Sequence, residues 1–151
     1  MTTGSTRALN FQIEVKTGRL IEARVFGLRT RAEVDAYSSA LGAQVAKMGG
    51  ASPVLCADHR PVVIYPQAVA DRLGELFLAM NSRLERATLI AARSNATLVL
   101  QLERLVREAG VAHRRVVYAP DDAEKHLAGS LDPFELQRVR AFLAEYRPPP
   151  P

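Results

Sequence analysis

Two short apolar runs constrain the fold of this chain more than any other feature. Pro53-Val54-Leu55-Cys56-Ala57 and Ala87-Thr88-Leu89-Ile90-Ala91-Ala92 lack polar alternation, the pattern of strands whose sheet is covered on both faces. Each leads into a segment with helical spacing of apolar residues: Val69, Leu73, Leu76, Phe77 and Met80 after the first, and Leu98, Leu102, Leu105, Val106 and Ala109 after the second. A strand, a helix and another strand in succession require a parallel crossover, so the middle of the chain reads as an α/β unit. Arg114-Arg115-Val116-Val117-Tyr118 adds a last short strand.

The N-terminal part follows a different rule. Leu9, Phe11, Ile13 and Val15 alternate with Asn10, Gln12 and Glu14, and after the Lys16-Thr17-Gly18-Arg19 turn Ile21, Ala23 and Val25 alternate with Glu22 and Arg24. Period-two alternation on both sides of a glycine turn predicts an antiparallel hairpin with one buried face. Thr30 and Glu33 form a T-x-x-E cap before a helix presenting Val34, Tyr37, Leu41, Val45 and Met48, closed by Gly49-Gly50. Pro66 marks the start of the second helix, Ser94 or Asn95 the cap of the third and Gly110 its stop. Asp121 with Glu124 reads as a further capping box, and Asp132-Pro133 with Glu135 opens an extra C-terminal helix through Leu136, Val139, Phe142, Leu143 and Tyr146.

The expected fold is α/β, a mixed sheet of about five strands, with the N-terminal antiparallel hairpin joined to parallel strands and helices on the sheet faces. One domain covers residues 8–147; residues 1–7 read as a loose polar terminus and Pro148 to Pro151 as an extended proline tail. Composition narrows the function classes. The 20 Lys and Arg residues are dispersed among 16 acids, so the net charge of +4 forms no basic stripe, and aromatics are 6%; nucleic acid is not an expected partner. A lone Cys56 precludes an intrachain disulfide. The first residues lack an apolar signal core and no window reaches the ~18–20 apolar residues of a membrane span, so a cytoplasmic location is expected.

Catalytic patterns are sparse. Cys56, Asp58 and His59 stand close in sequence, and a thiolate beside an imidazole would be a nucleophile; strand alternation, however, sends Cys56 and Asp58 to one side, and the reading preferred is a buried structural cysteine. His59, His113 and His126 lack metal-ligand spacing and read as surface residues, while Asp121-Asp122 reads as a helix cap rather than a cation site. Neither a metal nor a cofactor is expected. Arg93-Ser94-Asn95 falls between a strand and a helix, where free N–H groups could receive an anion.

The opening hairpin, the Gly27-Leu28-Arg29-Thr30 passage into the first helix, and Val54-Leu55-Cys56-Ala57-Asp58 before the second together resemble the STAS domain, over roughly residues 8 to 129. That fold is shared by anti-sigma factor antagonists and the cytoplasmic tails of sulfate transporters. The resemblance implies a domain that acts by contact with a protein partner, a kinase, phosphatase or other regulator. In the antagonists the start of the second helix carries a phosphorylatable serine or threonine; here the matching residues are Val63-Ile64-Tyr65-Pro66-Gln67, without a serine or threonine. The expectation is a non-enzymatic regulatory or adaptor domain in bacterial-type signalling, with Asp58, His59, Arg60, Tyr65 and Gln67 as the contact surface and a homodimer as one arrangement. The alternatives are a small-molecule or lipid-binding α/β domain and a cysteine-dependent enzyme.

Overall fold

The computed structural model describes residues 4–147. Six strands form a single mixed sheet in sequence order: β1 (Gly4–Arg7), β2 (Phe11–Val15), β3 (Leu20–Val25), β4 (Val54–Asp58), β5 (Arg86–Ile90) and β6 (Arg114–Val117). The first three are antiparallel, and β3 to β6 run parallel. Helices α1 (Arg31–Lys47), α2 (Gln67–Met80) and α3 (Ala96–Ala109) are the three crossovers, and α4 (Pro120–Leu127) and α5 (Pro133–Glu145) complete the chain. The α/β class, the hairpin, the parallel strands and the extra C-terminal helix agree with the sequence reading.

The sheet carries one strand more than the about five expected. Residues 4–7, expected as part of a loose terminus, pair along β2, because Gly4 opposes Val15 and Arg7 opposes Gln12 on an otherwise free sheet edge. A strand of small and polar residues carries no apolar alternation, so only its backbone betrays it. Residues 1–3 and the proline tail at 148–151 lie outside the described residues.

Each strand divides its side chains between two cores. Leu55 and Ala57 of β4 join the larger core under α1, α2 and α3, together with Phe11, Ile13 and Val15 of β2. Val54 and Cys56 face the other way, into a smaller core closed by Leu127 of α4 and Val139, Phe142 and Leu143 of α5. Alternation along a strand thus becomes a choice between two helical layers. The leucine stripe of α3 is core, as its spacing predicts: Leu98, Leu102 and Leu105 are all buried.

Three local features depart from the sequence reading. Leu9, placed with the buried side of the hairpin, is fully exposed in the β1–β2 turn. Glu22 and Arg24, placed on the polar side of the hairpin, are buried because α5 covers that side. The cap of α4 is Ala119, with Pro120 in the first turn and no side-chain bond from Asp121. The caps of α1 and α5 agree: Thr30 accepts from the Glu33 amide, and Asp132 and Glu135 form a reciprocal capping box. Gly18 adopts φ +59 in the β2–β3 turn, and a side chain there would run into the Glu135 carboxylate, which accepts the Arg19 amide at 2.8 Å.

Candidate functional site

The C-terminal ends of β3 and β4 open onto a groove of about 440 Å³, lined by residues 26–29 and 61–66. Its surface is apolar where water reaches it. Val63 is 65% exposed, Ile64 56% and Phe26 39%, an unusual set because such side chains gain about 1.5–3 kcal/mol each on full burial. The Asn10 carbonyl accepts the amides of Phe26 and Gly27, so the β1–β2 turn that bears Leu9 stands at the same end of the sheet. Exposed Arg29 adds a cation to the rim.

The loop carrying Val63 and Ile64 is held from below. Gln101 of α3 accepts the Tyr65 amide at 3.0 Å and donates to the Tyr65 carbonyl at 2.8 Å. Asn95 donates to the Val62 carbonyl at 2.8 Å, and the Val62 amide reaches the His59 carbonyl at 3.0 Å. The Tyr65 ring inserts into the larger core, and its hydroxyl lies 2.7 Å from His59 Nδ1. Every backbone group so tied is one the loop does not need water to satisfy. Two apolar side chains therefore project from a loop whose frame is fixed.

Beneath the groove, the polar residues expected to form a contact surface turn inward. Asp58, His59, Arg60 and Tyr65 are all buried. Asp58 accepts from Arg24 Nε at 3.1 Å, from Arg60 Nε and a terminal Arg60 nitrogen at 2.9 Å each, and from the Arg60 amide at 3.0 Å. The same two guanidiniums cap the end of α5, Arg24 on the Phe142 carbonyl at 2.5 Å and Arg60 on the Leu143 carbonyl at 2.8 Å; cations at a helix C-terminus are favourable. Arg24 also lies 4.3 Å from the Phe142 ring centre. These residues build the floor on which α5 is fastened. Of the five expected contact residues only Gln67 is exposed, and it donates to Asp71 at 2.7 Å.

The thiol reading fails on geometry. Cys56 points into the core under α4 and α5, whereas His59 binds Tyr65 in the core under α1 to α3. Burial, and then the Asp58 and Glu22 carboxylates, push the Cys56 thiol well above its ordinary range. Burial also holds the His59 ring down to about 4, against a smaller upward pull from Asp58. A protonated thiol and a neutral imidazole on opposite sheet faces make no nucleophilic pair.

The histidines are not surface residues as expected: His59 and His126 are buried and His113 is partly buried. Among the described residues no three His, Cys, Asp or Glu side chains cluster as metal ligands. The Arg93-Ser94-Asn95 segment does lie at the start of α3. Arg93 stacks 4.5 Å over the Tyr118 ring, Ser94 is exposed, and Asn95 occupies the cap position while its side chain serves Val62 instead of the helix amides.

In the loop from Asp58 to Tyr65 the named polar side chains turn inward, and Val63 and Ile64 turn outward. Val63 and Ile64 read as part of a motif position, and Phe26 as the end of a strand; Gln101 was hidden as one polar residue on an amphipathic helix. The available signal was a pair of adjacent β-branched residues between Pro61 and Pro66, too short for a strand and too apolar for an ordinary loop. Set against protein-family models, curated proteins and solved structures, the chain has no match.

Proposed function

We propose that this chain is a STAS-like regulatory or adaptor domain of bacterial-type signalling that acts by binding a protein partner at the apolar groove. The observation that carries the reading is the exposure of Val63 and Ile64 on a loop tied at both ends to the body of the domain. Exposed apolar surface gains free energy when a partner covers it, and a loop already held in place loses little further freedom on binding. The buried ion cluster at Asp58 supports the same reading, since it fixes the end of β4 from which the loop departs.

The test is quantitative affinity capture from the source cells with wild-type chain and with a Val63→Ser/Ile64→Ser variant. Both positions are exposed, so the variant keeps its fold, which circular dichroism verifies. A partner recovered by the wild type and at least tenfold depleted with the variant supports the reading. Equal recovery of every partner contradicts it.

A further inference from the structure

A second concavity, of about 480 Å³, lies between β6 and α4. Strand register assembles it. Thr88 of β5 pairs with Arg115 of β6, so the two side chains share a sheet face, and Arg86 shares it by alternation. Over that face α4 lays Asp122, Lys125 and His126. The Arg86 guanidinium is held by Ser130 Oγ at 2.9 Å and the His126 carbonyl at 3.1 Å, neither of them an acid. Among the described residues, Arg86, Arg115 and Lys125 make no ion pair.

His126 lines the concavity from α4. It is 8% exposed, its Nδ1 lies 2.5 Å from the Thr88 hydroxyl oxygen, and its Nε2 has no hydrogen-bond partner. Burial, followed by the positive charges of Arg86 and Arg115, holds the ring down to about 4.

We propose that this concavity binds a small phosphate monoester, its phosphate held by Arg86, Arg115 and Lys125 beside His126. The charge count selects the ligand. Three cations face the single carboxylate of Asp122, an excess that matches a phosphate dianion better than a carboxylate. The volume selects the ester, since it falls within the roughly 300–1,000 Å³ of small-molecule sites and leaves room beyond a phosphate along β6 at Val117. This site is separate from the apolar groove and does not depend on it.

The experiment is a two-dimensional NMR titration of the labelled full chain at constant ionic strength, with ribose 5-phosphate, inorganic phosphate, ribose and acetate as probes. Ribose 5-phosphate is expected to give saturable shifts at the amides of residues 115–118 and 122–126 and at the His126 ring, and to bind more tightly than inorganic phosphate. The Arg115→Gln/Lys125→Gln variant, altered at two exposed positions, should bind at least tenfold more weakly, while Arg93→Gln should bind as the wild type does. Equal shifts from acetate or ribose, unchanged affinity in the double variant, inorganic phosphate binding as tightly as the ester, or shifts centred on Ser94 and Asn95 would each overturn the assignment.

Discussion

Gln101 holds the backbone of Tyr65 from both sides, accepting its N–H at 3.0 Å and donating to its C=O at 2.8 Å. One side-chain amide on α3 thereby replaces the ladder that the β4–α2 loop lacks, and Val63 and Ile64 project outward from the loop it fixes. Gln101→Ala should remove both bonds and leave two poorly hydrated backbone groups, at a cost of about 1–3 kcal/mol. Urea denaturation measures the loss, and amide exchange should show the Tyr65 N–H unprotected in the variant. A variant as stable as wild type would contradict the role given to Gln101.

Asp58 is the shared counter-ion of Arg24 and Arg60, and all three are buried. Asp58→Asn leaves Arg60 without a charge partner and Arg24 with only the exposed Glu145 carboxylate at 3.6 Å, and should destabilise the fold by about 3–5 kcal/mol. Because the same guanidiniums hold the last carbonyls of α5, amide protection should fall most in that helix. Arg72→Ala, which breaks an exposed pair with Asp35 at 2.7 Å, should change stability by less than about 1 kcal/mol.

Acid should weaken the fold through His59. The unfolded ring takes up its proton near pH 6.5, and the folded ring, held down by burial, only near 4. Its contribution is therefore complete above about pH 6.5 and is lost as the pH falls from there to about 4, a total of roughly 3 kcal/mol. His126 titrates in the same window, so the wild-type decline contains both rings. His59→Gln should show a shallower decline across this range in urea denaturation; an identical pH slope would contradict the burial of an uncharged imidazole.

Cys56 should be inert in the folded protein. Its thiol is fully buried and its ionisation is pushed far up by burial and the neighbouring carboxylates, so reagents that need a thiolate have neither access nor a reactive species. Ellman's reagent at pH 8 should modify it only at the rate of unfolding. Stoichiometric labelling within seconds in native buffer would contradict the placement.

The layers of the fold were legible because periodicity reports burial: alternation in β2, unbroken apolar runs in β4 and β5, and helical spacing in α1 to α3 each map onto a covered or open face. Periodicity fails where burial comes from a distant segment. Glu22 and Arg24 carry the alternation of an open face, and only the docking of α5 more than a hundred residues later buries them against Arg138 and Phe142. Gly4 to Arg7 failed for the opposite reason, since a strand held by backbone pairing alone needs no side-chain pattern. At the candidate site the loop was legible from its prolines and its place after β4. The inward turn of Asp58, His59, Arg60 and Tyr65 was not, because polar residues beside a loop look alike in sequence whether they face water or a buried counter-ion.

The direct measurement of the proposed docking surface is an amide-exchange footprint of the full chain in the presence and absence of a protein recovered in the capture experiment. Added protection should centre on residues 26–29 and 61–67, with the exposed faces of α1 and α4 unchanged. Protection confined to those helices, with exchange around Val63 and Ile64 unaltered by the partner, would contradict the assignment of the groove.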